Sequence, residues 1–223
     1  MASLTFVHWD TITPHMRFML EQIGYCAFAA RFYLAGGTAL ALRLGHRQSY
    51  DLDFFSETDE LTQPSREEII HTLSPLGIEV LENVDGNLLL RTEELRIGFF
   101  GYGYSLVAPA DTVVDVALAS IVDIGLMKLD ALGSRGSRKD FYDLYAISQQ
   151  VDLANLLALG QVKYPYMRNF ELIALESMIL FDNADRDVQP VLRMDTPWPQ
   201  VKEFMLNEAQ KLGKRWFDDT TTG

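Results

Sequence analysis

Apolar residues fall at helical spacing soon after the chain begins. Thr13-Pro14 has the form of a helix start, with threonine at the cap and proline in the first turn. Met16, Met19, Leu20 and Ile23 then share one face. A short strand over residues 32–35 runs into Gly36-Gly37. Residues 38–44 read as a short helix stopped by Gly45, 46–49 as a polar loop, and 50–55 as a second strand. Ser65-Arg66-Glu67-Glu68 has the capping-box pattern and opens a helix into Leu73, and Gly77 ends the segment. Residues 78–84 and 88–92 read as strands around Asp85-Gly86-Asn87, a strong hairpin signal. A third strand, 95–102, follows the Glu93-Glu94 turn.

The pattern then turns helical. Ser120-x-x-Asp123 and Ser137-x-x-Asp140 have the capping-box shape and start helices over 121–132 and 138–149. Asp152 is a candidate cap for another, residues 172–181 form a strongly apolar helix candidate, and Pro197 and Pro199 precede a last amphipathic helix carrying Val201, Phe204, Met205 and Leu212. The expected fold is therefore α/β (α+β). Residues 1–110 form a mixed-sheet core, and residues 111–223 form a mainly helical portion expected to pack on it. No flexible linker marks the boundary near 110, and no repeat is visible.

Composition narrows the function classes. The chain has 223 residues, 48% of them apolar, which is enough for a real core and argues against disorder. Its formal charge of −12 argues against strong general nucleic-acid binding, which needs a basic face. The lone Cys26 excludes an internal disulfide and reads as a buried small apolar residue. Met1-Ala2-Ser3-Leu4-Thr5-Phe6 lacks the basic and apolar regions of a signal peptide, and no apolar run approaches the ~20 residues of a membrane span. A cytoplasmic protein without membrane partners is the expectation.

Candidate chemistry concentrates at Gly36-Gly37-Thr38 and Tyr50-Asp51-Leu52-Asp53. Strand residues alternate faces, so Asp51 and Asp53 share one face, roughly 6.6 Å apart. Like charges so placed gain nothing for stability, and they suit a magnesium ion carried in on a nucleoside triphosphate. The glycine pair permits close backbone approach to phosphate, and the helix after it offers N–H groups to an anion. The Thr38 hydroxyl either meets phosphate or caps the helix. Arg47 pairs with Asp51 or contacts phosphate, the alternative being that residues 46–49 form a plain surface loop.

Further along, Lys128 stands in an otherwise apolar helix and needs a partner; it either faces triphosphate or snorkels to the edge. Asp140 and Asp143 share a helix face, although Lys139 and Asp143 also have the spacing of a plain surface pair. Arg135 in its glycine-flanked loop is a candidate phosphate contact. Phe99, Phe100, Tyr102 and Tyr104 read as sheet core, with nucleobase stacking as the alternative.

These motifs together resemble the nucleotidyltransferase superfamily that includes DNA polymerase β and kanamycin nucleotidyltransferase. More narrowly, Gly36-Gly37-Thr38-Ala39-Leu40 with His46-Arg47-Gln48-Ser49-Tyr50-Asp51-Leu52-Asp53-Phe54-Phe55 resembles the AbiEii/AbiGii toxin family. So do Met127-Lys128-Leu129-Asp130-Ala131, the segment from Arg135 through Lys139-Asp140-Phe141-Tyr142-Asp143, and Phe181-Asp182-Asn183-Ala184-Asp185 with the later Trp198-Pro199-Gln200. The resemblance implies transfer of a nucleoside monophosphate from a nucleoside triphosphate, with Mg²⁺, to a tRNA or protein acceptor. It also implies a separate cognate antitoxin protein. Asp51 and Asp53 are the implied metal ligands, with Lys128, Asp140 and Asp143 as further catalytic residues. Gly36, Gly37, Thr38, Arg47, Ser49 and Arg135 are the implied nucleotide contacts, and the loop of His46 borders the site. One departure stands out: the third carboxylate of the superfamily is expected at Gly98, which supplies no ligand. A catalytically degenerate nucleotide- or antitoxin-binding module is therefore one alternative, and a small-molecule, antibiotic-type nucleotidyltransferase is another.

Overall fold

The computed structural model describes residues 3–93 and 95–221, with backbone only from 216 onward. Glu94, half of the expected turn, lies outside the described residues. The chain divides into two compact units, Met1–Ser120 and Ile121–Gly223.

The first unit is built on a seven-stranded mixed sheet. Its strands are β1 (Tyr33–Leu34), β2 (Asp51–Ser56), β3 (Glu79–Val84), β4 (Asn87–Thr92), β5 (Leu95–Gly101), β6 (Asp111–Val113) and β7 (Val116–Leu118), in the spatial order β3-β4-β5-β2-β1-β7-β6. β2 runs parallel to β5 and antiparallel to β1, while β1 is parallel to β7. Helix α1 (Pro14–Gly24) starts where the sequence indicates, with the Thr13 hydroxyl accepting from the Met16 N–H. Its Met16, Met19, Leu20 and Ile23 are buried. Helix α2 (Gly36–Leu44) connects β1 to β2 and stops at Gly45, whose φ of 67° is left-handed.

Three features of this unit depart from expectation. Helix α3 (Gln63–Leu73) starts from Thr62 with Pro64 in its first turn, so Ser65 lies inside it and donates instead to Asp59 Oδ2 at 2.7 Å. The hairpin of β6 and β7 was not foreseen: its turn is Val114-Asp115, both at positive φ without a glycine to signal it. Because β7 pairs with β1, the first unit runs on to Ser120 rather than ending near 110.

The second unit holds α4 (Ile121–Ser134), α5 (Arg138–Ser148), α6 (Leu153–Lys163), α7 (Phe170–Ser177), α8 (Asp182–Arg186) and α9 (Trp198–Thr221). The apolar α4 is central and packs on α5, α6 and α7. Asp152 caps α6 by accepting from the Ala154 N–H at 2.8 Å. The helix expected over 172–181 instead ends at Ser177, and α8 follows as a separate turn. Ser120 and Ser137 do precede helices, but the carboxylates three residues on also turn inward to lysines, and Asp140 accepts from the Ser137 hydroxyl as well.

Candidate active site

In the first unit, β2 alternates as its sequence requires. Leu52, Phe54 and Ser56 are buried, whereas Asp51, Asp53 and Phe55 are half-buried on the other face. Register sets Arg96 opposite Asp51, Gly98 opposite Asp53 and Phe100 opposite Phe55, so these β5 residues share the carboxylate face. Tyr50, just before the strand, is exposed.

The glycine turn lies directly against this pair. Ala35 N–H donates to the Asp53 carbonyl at 3.0 Å, and the next residue, Gly36, has a φ of +65°. A Cβ on Gly36 would sit 3.0 Å from Asp53 Oδ2, so a side chain there would crowd the carboxylate. No side chain caps α2, which leaves its first amides to other acceptors. A Cβ on Gly37 would collide with the Arg47 guanidinium and come within 3.3 Å of Ser49 Oγ. The polar residues 46–49 are thus no surface loop: His46, Arg47 and Ser49 are buried, and Arg47 donates to the Gln48 carbonyl at 2.9 Å. Thr38 does not cap α2. Its hydroxyl donates to the Asp51 carbonyl and lies 2.8 Å from Ser49 Oγ, fastening helix to strand.

Gly98 supplies no ligand, and it leaves no gap either. The space above it is not open, because a Cβ there would lie 2.6 Å from Cε2 and Cζ of Phe100. Among the described residues, no group of three His, Cys, Asp or Glu side chains is placed to hold a metal ion. No hydrogen bond or ion pair to the Asp51 carboxylate occurs among them either. Two hard oxygen donors on one half-buried strand face, with a glycine in place of a side chain against Asp53 Oδ2, fit a divalent cation that would take its remaining ligands from phosphate and water.

The second unit gathers the other candidates. Lys128 is 4% exposed, and its Nζ lies 2.7 Å from Asp140 Oδ1 and 2.6 Å from Asp143 Oδ2. This corrects the snorkelling alternative and the Lys139–Asp143 surface pair: Lys128 is enclosed, and Asp143 is fully buried beside it. Arg135 binds Asp140 through two nitrogens at 2.8 and 2.9 Å, and the Ser137 hydroxyl donates to it at 2.6 Å. Burial alone would push the Asp140 carboxyl up, but Lys128 and Arg135 outweigh it and hold it well below the usual carboxylate range. A second ion pair, Lys163–Asp123 at 3.0 Å, is completely buried and joins α6 to α4. Its signal was an aspartate inside an apolar helix, read as a cap residue.

A sheet carrying an Asp-x-Asp strand against a Gly-Gly helix turn defines a nucleotidyltransferase arrangement. The chain belongs to the family described as nucleotidyl transferase AbiEii toxin, of type IV toxin–antitoxin systems, whose model matches residues 17–217. An uncharacterised protein of Aquifex aeolicus (strain VF5) is 32% identical over 206 residues, spanning 90% of this chain and 97% of that protein. Among solved structures, the nucleotidyltransferase toxin MenT4 of Mycobacterium tuberculosis H37Rv matches with a TM-score of 0.57 at 16% identity, covering 91% of this chain and 86% of its own. ANT(2'')-Ia in complex with adenylyl-2''-tobramycin matches with a TM-score of 0.52 at 14% identity, covering 69% of this chain and 98% of its own. At these identities the two structures speak to fold alone. Among the described residues, no helix is long and apolar enough to cross a membrane.

Proposed function

We propose that the protein transfers a nucleoside monophosphate from an Mg²⁺–nucleoside triphosphate to a tRNA or protein acceptor, as the toxin partner of a separate antitoxin. The observation that carries this reading is the contact of the Gly36 turn with Asp53, on the strand face that Asp53 shares with Asp51. A carboxylate pair and uncapped helix amides then meet at one point, as a metal-bound phosphate requires. Asp51 and Asp53 would hold the ion, which when bound polarises the phosphoryl oxygens. Gly36 and Gly37 admit the phosphates to the backbone. Thr38 and Ser49 act one step back, by fixing α2 against β2, and Arg47 supplies positive charge beside Gly37. Lys128, Asp140, Asp143 and Arg135 are assigned to the same activity on the family motif. Their mutual ion pairs make positioning of Lys128 the task of the two aspartates.

The test is calorimetry with Mg²⁺ and each nucleoside triphosphate, followed by label transfer from α-labelled triphosphates to total RNA or cell protein. Wild type should bind, and Asp51→Asn with Asp53→Asn should not. Equal binding by both proteins would sink the assignment.

A second reading is favoured by one observation: the carboxylates near β5 form a pair, with Gly98 opposite Asp53. On that reading the protein binds nucleotide or antitoxin without turnover. Binding that depends on Asp51 and Asp53, with no labelled acceptor in any extract, would select it.

A further inference from the structure

The sheet of the first unit carries two aromatic layers, and only one of them is core. On the far face Phe54 stacks on Phe99 at 5.0 Å, and Phe28 and Phe32 meet Phe99 edge-on, all of them buried. On the carboxylate face the next residue of each strand repeats the pattern with less burial, although Phe55 also stacks on the buried Tyr33 at 6.1 Å. Phe55 and Phe100 stack at 5.0 Å with rings inclined by 27°, and Tyr102 meets Phe55 edge-on at 5.3 Å. Phe55, Phe100 and Tyr102 are all only half-buried.

Tyr33 covers part of Phe55 and Tyr104 part of Tyr102, yet Phe55, Phe100 and Tyr102 all keep ring surface in water on the face that carries the two carboxylates, while the far face supplies the core. Their position is specific. The Phe100 ring folds back over Gly98, the residue in register with Asp53. The ring surface therefore begins one strand spacing, about 4.8 Å, from the strand of the carboxylate pair.

We infer that Phe55, Phe100 and Tyr102 form a stacking subsite for a nucleobase beside the phosphate site. The inference rests on the nucleotide reading above and adds to it the group that recognises the base. Every nucleobase has an apolar face, so stacking here holds the base while leaving its edges unread, and purines with their larger faces bind best. Two bases have the required chemistry, that of the triphosphate and that of an RNA acceptor's end.

The experiment compares Mg²⁺–tripolyphosphate, Mg²⁺–ATP and Mg²⁺–UTP on wild type, Phe100→Leu and Phe100→Tyr, with an RNA dinucleotide titrated onto the tripolyphosphate complex as a separate arm. Melting curves establish that each variant is folded. In wild type, ATP should bind about tenfold tighter than tripolyphosphate. Phe100→Leu should erase that gain without altering tripolyphosphate affinity, and Phe100→Tyr should restore it. If the dinucleotide alone loses affinity in Phe100→Leu, the stacked base is the acceptor's. If both nucleotide and dinucleotide affinities are unchanged in Phe100→Leu while tripolyphosphate still binds, the stacking subsite is refuted and the phosphate site stands. If tripolyphosphate and nucleotides fail to bind wild type at all, both readings fall together.

Discussion

Replacing Lys128 should unfold the helical unit before it says anything about nucleotide. Sequence alone sends Lys128 either to triphosphate or to the helix edge, and in both cases its charge would be cheap to remove from the apo protein. The structure reverses this, since Lys128 is enclosed between Asp140 and Asp143 at 2.7 and 2.6 Å, and both carboxylates are fully buried. Lys128→Met keeps much of the apolar stem and removes the charge, so it isolates the electrostatic term. Asp140 retains Arg135 at 2.8 Å and Ser137 at 2.6 Å, so most of the loss falls on the pairing with Asp143. Breaking a buried pair by removing one partner costs about 3–5 kcal/mol. In urea that is a fall in midpoint of at least about 1 M. The assay is urea unfolding followed by far-ultraviolet circular dichroism, with Lys128→Met, Asp143→Leu and the double variant forming a cycle. The double variant should recover most of the loss, because an apolar pair of similar volume replaces the ionic one. A loss below about 1 kcal/mol for Lys128→Met, the size expected of an exposed pair, would refute the enclosed network. So would a double variant as unstable as the sum of its parts.

Three further outcomes follow from the geometry. Gly36→Ala places a methyl group 3.0 Å from Asp53 Oδ2 at a φ of +65°; strain of about 1–2 kcal/mol should appear in melting, with Mg²⁺–nucleotide affinity in calorimetry falling by more than that strain alone predicts. Gly98→Asp should displace the half-buried Phe100 ring at a cost of about 1 kcal/mol, and adding Phe100→Ala should recover part of it in the same melting assay. Asp140 has a folded-state pKa depressed below its unfolded value, so its contribution is complete above about pH 4 and is lost as pH falls through the folded value. Asp140→Asn should therefore flatten the acid limb of a stability–pH curve below pH 4 while leaving the slope at neutral pH unchanged.

Local signals were legible wherever one residue type decides the backbone. Thr13-Pro14 starts α1, Gly45 ends α2, Asp152 caps α6, and Asp85-Gly86 turns the hairpin of β3 and β4. The strand alternation that puts Asp51 and Asp53 on one face was likewise readable, because a two-residue period allows nothing else. What escaped were features fixed by long-range partners. β6 and β7 are three residues each and exist because β7 finds β1, more than eighty positions earlier in the chain. Asp123 and Asp140 carry a cap-like spacing, yet Lys163 and Lys128 offer more to a buried carboxylate than a helix N–H does. Residues 46–49 are polar and looked like solvent-facing loop. Arg47 and Ser49 are buried against Gly37, whose missing side chain leaves them room and which only the folded chain brings against the guanidinium.

Gly98 and Phe100 are best understood as one feature. The resemblance to the superfamily leads one to expect a third acid at Gly98, and replacing such an acid with glycine would by itself leave a hole beside Asp53. No hole is present, because the Phe100 ring fills the volume that any side chain at 98 would need. A carboxylate at 98 and a ring lying over 98 are mutually exclusive in this backbone. The chain therefore presents an aromatic surface where the resemblance leads one to expect a metal ligand. This converts the question of activity into a comparison of two variants. If the ring is a mere filler, Gly98→Asp with Phe100→Ala should raise transfer by supplying the acid. If the ring holds a base, the same double variant gains a ligand and loses its hold on substrate, so kcat and KM for the triphosphate should rise together. A rise in kcat with KM unchanged would count against the ring as part of the site.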